Sequence, residues 1–175
     1  MRKDVTESPS LCGACNRCCK TLLIEDIETL WFKPRGVWCE HARRNKGCTV
    51  YGAPPAACQE YECFWLGSQN GRGGERGVLP GALRPDRCGA ILEENHAGEM
   101  VAWMDAERSD AIDRGALAKF VEREVDAGRV VVARVGDSSD ARVIGHDEAV
   151  RAFDERCRTE GNTEPNALVA RRAEA

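Results

Sequence analysis

The chain has 175 residues, 42% of them hydrophobic and 31% charged, with a formal net charge of −4. That length suffices for one ordinary core without covalent staples, and the acidic balance provides no broad basic surface for counterion release. Nucleic-acid binding by the whole domain is therefore disfavoured, and the tight basic stretches at Arg43–Lys46 and Arg171–Arg172 read as solvated surface.

Residues 1–11 read as a flexible N-terminus. They begin with two basic residues but no apolar stretch follows, and no later segment approaches a membrane span, so the expected location is the cytoplasm. Residues 12–66 are poor in long periodic stretches and rich in cysteine. Within them only Thr21–Trp31 suits a helix, or a strand followed by a helical turn. Residues 67–79 combine glycine with polar side chains and read as a flexible loop, which places a boundary near Ser68.

Residues 80–160 carry ordinary α/β patterning. Two short strands, from Cys88 and from Glu99 to Met104, are joined by the turn Asn95-His96-Ala97-Gly98. Ser109-Asp110 can cap a helix over 111–127, whose apolar positions Ile112, Leu117, Phe120, Val121 and Val125 share a face and which Gly128 ends. The β-branched run 129–135 predicts a strand paired through a turn with 141–144, and a last helix spans 147–158. The expected class is α+β: an irregular cysteine-rich metal-binding subdomain followed by a small antiparallel sheet with one or two helices. The tail 161–175 reads as disordered.

Eight of the ten cysteines are Cys12, Cys15, Cys18, Cys19, Cys39, Cys48, Cys58 and Cys63. In a reducing compartment such a density argues for metal ligation over a disulfide framework, because thiolate is a soft anionic ligand for zinc, iron and iron–sulfur clusters. The adjacent Cys18 and Cys19 do not readily bridge each other. The CxxCxxC spacing lets three sulfurs converge from one loop, with Gly13 relaxing the backbone around the ion. A fourth ligand must come from Cys19, Cys39, Cys48, Cys58 or Cys63, with His41 in reserve; Cys88 could reach back, and Cys157 reads as an inert thiol. Eight thiols allow two four-sulfur sites or one cluster with spare thiols. The single CxxCxxC triplet with remote partners favours iron slightly over zinc. Tyr51, Trp38 and Trp65 are candidates for a dry lining.

The opening CxxCxxCC joins the later run Cys48-Thr-Val-Tyr51 and Pro54-Pro55-Ala-Ala-Cys58-Gln-Glu-Tyr61-Glu-Cys63. Together they resemble the YkgJ-type cysteine-cluster family of zinc- or iron-chelating domains over about the first third of the chain. The resemblance implies metal ligation at Cys12, Cys15, Cys18, Cys19, Cys48, Cys58 and Cys63, and Cys39 stays a candidate ligand on its place in the cluster. Two positions depart from it: Pro54 and Gln59 stand where the family commonly has arginine, which removes fixed cations and with them support for an anionic-substrate role.

No nucleophile–base pair, P-loop, dinucleotide fingerprint or HExxH motif is present, so the sequence supplies no catalytic residues. The expected function is chelation of zinc or iron, including a 4Fe–4S cluster, by a module acting as carrier, sensor or structural partner. The alternative is a cluster-dependent redox or protein-modifying enzyme, or a subunit of one, with a protein partner supplying the rest.

Overall fold

The computed structural model describes residues 13–26, 31–44, 46–50, 53–136 and 140–159, and the backbone of 167–170. The expected flexible N-terminus and most of the expected disordered tail lie outside the described residues.

Before residue 80 the elements are short: α1 (Cys18–Thr21), the paired strands β1 (Ile24–Asp26) and β2 (Trp31–Lys33), the two-residue strands β3 (Ala42–Arg43) and β4 (Gly47–Cys48), then α2 (Ala56–Glu60) and α3 (Phe64–Gln69). After it come α4 (Pro85–Cys88), β5 (Ala90–Glu94), β6 (Met100–Met104), α5 (Gly115–Asp126), β7 (Val131–Val135), β8 (Ala141–Ile144), α6 (Asp147–Thr159) and β9 (Ala167–Ala170). The α+β class holds. Strands β5 to β9 form one sheet in sequence order, but it is mixed where an antiparallel sheet was expected: β5–β6 and β7–β8 are antiparallel, β6–β7 and β8–β9 parallel. The physical reason is that α5 and α6 each return the chain to the end where the preceding strand began, as a crossover connection must. Residues 167–170, expected in a disordered tail, pair with β8 instead.

The β5–β6 hairpin closes at the expected turn, where Asn95 Oδ1 accepts from the backbone N–H of Ala97 (3.1 Å) and Glu99 (2.9 Å). Helix α5 starts later than expected. Ala111–Asp113 form a separate 3₁₀ turn that buries Ala111 and Ile112, and the helix begins at Gly115 with no side-chain cap. Its buried face carries Leu117, Phe120, Val121 and Glu124, and Gly128, at φ 74, ends it as expected.

One core unites the sheet with both halves of the chain: Leu22, Cys63, Phe64 and Trp65 share it with Leu79, Leu83, Met100, Met104, Leu117 and Phe120. A smaller cluster packs Phe153 of α6 against Val130, Val132, Ala141 and Val143. Strand alternation and register place Ile91, Trp103, Val132 and Val143 on the sheet face that α6 covers at one end. The cysteine-rich segment meets that face near the β5 edge.

The glycine-rich segment 67–79 is tied down. Ser68 is fully buried, its Oγ donating to Trp65 O (2.7 Å) and accepting from Leu79 N (3.0 Å). Arg76 reaches the buried Glu124 (2.8 Å), which Arg129 also pairs (2.9 Å). Burial would raise the Glu124 carboxyl, but hydrogen bonds from Arg129 and Arg76 hold it below its ordinary 4.5.

Phe120→Ala is expected to lower unfolding free energy by about 3–5 kcal/mol in urea denaturation, because its ring is fully enclosed in the shared core. Glu124 is depressed in the folded state, so its contribution is complete above 4.5 and is lost as pH falls through the folded value. The urea midpoint of the wild-type chain should therefore decline on acidification below that point, and Glu124→Gln should flatten the decline.

Candidate metal centre

The CxxCxxCC loop is held to the sheet by charge. Lys20, 6% exposed, pairs with Asp105 (2.7 Å) and Glu107 (3.0 Å), and Arg17 reaches the same Asp105 carboxylate (2.9 Å). Asp105 directly follows β6, is 2% exposed, and also accepts from the backbone N–H of Glu107 (3.1 Å). Burial alone would raise its carboxyl, but the hydrogen bonds from Lys20 and Glu107, with the charges of Lys20 and Arg17, keep it below its ordinary value. Charges that look like surface residues in the sequence thus orient α1 and its two thiols.

The remaining thiols are brought in by backbone contacts. Cys39 N donates to Cys19 O (2.8 Å), and the β3–β4 register sets Cys48 opposite Ala42. Asn16, buried between loop and hairpin, donates to Arg43 O (2.8 Å). Gly47 lies where the hairpin tip meets the first cysteine loop: its φ of 93 is one that side-chain-bearing residues rarely adopt, and a Cβ there would lie a tight 3.2 Å from Gly13 O. Cys58 sits on α2 behind Pro54-Pro55, and Gln59 closes that turn by donating to Pro54 O (2.7 Å). Cys63 is the N-cap residue of α3 and is buried in the main core.

As a result Cys15, Cys18, Cys19, Cys39, Cys48, Cys58 and Cys63 all line one cavity of about 800 Å³, together with His41. Cys12 and Tyr51 lie outside the described residues. Cys88 does not line the cavity; its thiol lies within hydrogen-bond reach of Ala90 O (3.2 Å) and Leu83 O (3.4 Å), and burial pushes it up to about 11. Cys157 packs beside Phe153 in the smaller cluster. No disulfide joins any of the nine described cysteines.

The lining differs from expectation. Trp65 is buried in the main core with its indole N–H donating to Pro80 O (3.1 Å), and Trp38 stacks near Lys20 and Arg44. Leu22, Leu66 and Ile91 contribute apolar wall, and Trp31 and Tyr61 supply the aromatic part. Tyr61 Oη is buried without a well-formed hydrogen bond. Burial first, then the neighbouring Glu93 carboxylate, pushes its phenol well above the ordinary range, so it is a neutral O–H donor. Trp103 Nε1 donates to that same Glu93 (2.6 Å). Tyr61 carries a spacing signal, two residues before Cys63, but nothing in the sequence marks its burial.

The thiols are not alike. Burial raises Cys15, Cys39 and Cys63, whereas Cys19 is lowered to about 7, first by a hydrogen bond from the Cys18 side chain and further by the charge of Lys33. Among the described residues no group of three or more Cys, His, Asp or Glu side chains is already arranged to hold a metal ion. Chemically the cavity offers soft donors, an apolar wall and one thiol that ionises near neutrality.

Fold and site together define an α+β protein with a thiol-lined cavity beside the β5 edge of its sheet. Compared with family models, curated proteins and solved structures, the chain matches none of them. No helix among the described residues is long and apolar enough to cross a membrane.

Asp105→Ala is expected to cost about 3–5 kcal/mol, since it removes the buried carboxylate that Lys20 and Arg17 share and leaves Lys20 only the exposed Glu107, and to speed proteolysis of the cysteine loop more than of α5. In the metal-free protein at pH 7, iodoacetamide should modify Cys19 well ahead of Cys88, as peptide mass spectrometry would read directly.

Proposed function

We propose that this chain is a metal-binding protein that chelates zinc or iron, the latter including an iron–sulfur cluster, through its cysteine cluster. The observation that carries the reading is the convergence of seven cysteines, from segments spread between residues 15 and 63, onto one cavity. Chance placement of thiols needed only for packing would scatter them through the core, as Cys88 and Cys157 are scattered. The resemblance of CxxCxxCC and the Cys48–Cys63 run to YkgJ-type domains supports the same reading.

The donor set fits a soft cation. Cys15, Cys18, Cys19, Cys39, Cys48, Cys58 and Cys63 are available as ligands, and Cys12 belongs to the same sequence run. Zinc bound here would supply a redox-inert cross-link between segments, whereas iron would add electron transfer. The protein's own residues do the rest. The Lys20–Asp105 pair fixes α1, Asn16 and Gly47 hold the hairpin against the first loop, and Leu22, Leu66 and Ile91 supply an apolar wall beside the sulfurs. The reading places the protein in a reducing compartment such as the cytoplasm, where thiols persist as ligands.

Anaerobic purification followed by metal and sulfide analysis tests the proposal. Stoichiometric iron with sulfide and broad visible absorption supports the iron–sulfur form, a colourless zinc protein supports the zinc form, and a metal-free protein under both regimes contradicts the reading. Cys15→Ser should lower metal content and expose residues before α3 to protease, whereas Cys157→Ser should change neither.

A further inference from the structure

Lys33, at the end of β2, is 3% exposed. Its ammonium donates to three backbone carbonyls, Lys20 O (3.2 Å), Pro34 O (3.0 Å) and Val37 O (3.1 Å), which uses all three of its N–H groups. Carbonyl dipoles orient a cation but do not neutralise it. Among the described residues no carboxylate pairs with Lys33, whereas the other buried lysine, Lys20, has Asp105 and Glu107. An ammonium buried with no carboxylate beside it among the described residues is unfavourable unless another anion faces it.

Its surroundings are the backbone segments that carry two of the cavity thiols. Lys20 directly follows Cys19, Val37 lies two residues before Cys39, and the Cys39 N–H is bonded to Cys19 O (2.8 Å). The ammonium therefore stands where the two thiol-bearing backbone segments join. Burial pulls its own ionisation down, while Cys19, Cys39 and Cys18, in that order, act to raise it, and Arg35 opposes them. The carbonyls that hold the ammonium thus lie beside the thiol-bearing residues Cys19 and Cys39 in the chain.

We infer that Lys33 is the fixed counter-cation of the metal centre, its ammonium offsetting the negative charge that Cys18, Cys19 and Cys39 carry when they serve as ligands. The inference rests on the metal-binding reading and deepens it. It places the most anionic part of the centre at the Cys18–Cys19–Cys39 wall and favours complexes of net negative charge, such as a divalent ion held by four thiolates. Lys33 acts through the thiolates and touches no ion itself; it is a positioning and charge-balancing residue.

Zinc(II) affinity, measured on the full chain by competition with a chromophoric chelator, tests this with two variants. Lys33→Gln retains N–H donors and removes the charge; Lys33→Arg retains the charge. Lys33→Gln should bind zinc about tenfold or more weakly, and Lys33→Arg should stay within about threefold of wild type. A folded Lys33→Gln with wild-type affinity overturns the inference, as does a folded Lys33→Arg that loses as much as Lys33→Gln. If circular dichroism shows Lys33→Gln unfolded, Lys33→Arg decides alone: affinity retained supports the charge role, and affinity lost contradicts it. A wild-type chain that takes up neither zinc nor iron instead removes the metal-binding reading itself.

Discussion

The cysteine cavity depends on a buried carboxylate. Asp105 leaves the end of β6 inside the protein and takes Lys20 and Arg17 from the loop that carries Cys15, Cys18 and Cys19. A carboxylate and an ammonium taken out of water must find each other, and their geometry then has little freedom. This constraint couples the cysteine-bearing loop to the sheet. Leu22, Cys63 and Phe64 reinforce the coupling by entering the core that Met100, Leu117 and Phe120 complete. The cysteine segment is thereby anchored to the sheet by a buried ion pair and by core contacts.

Much of the second half was legible in the sequence because its signals are local. Asn95–Gly98 specifies a tight hairpin, the β-branched run before Val135 specifies a strand, and the apolar spacing of Leu117, Phe120 and Val121 specifies a buried helix face. What escaped was long-range. Whether β7 lies parallel to β6 is decided by where α5 returns the chain, which no residue of β7 records. The late start of α5 was hidden because Ala111 and Ile112 suit a helix by composition, yet are taken by the core into a separate turn.

The site divides in the same way. The density and spacing of the thiols named the ligand candidates from Cys15 to Cys63, and the structure gathers them on one cavity. The sequence could not exclude Cys88, since only the fold turns its thiol toward Leu83 and Ala90. Lys20, Lys33 and Asp105 were invisible because a charged residue in a sequence is presumed solvated, and its burial is a property of tertiary structure. The aromatic lining also went to residues nearer in space, Trp31 and Tyr61, than Trp38 and Trp65.

The central claim is that the cavity thiols are metal ligands. X-ray absorption at the metal K-edge of anaerobically purified protein tests it most directly. The account predicts a first shell dominated by sulfur, at about 2.3 Å for either zinc or iron. A first shell of nitrogen and oxygen, or the absence of any bound transition metal, would contradict it.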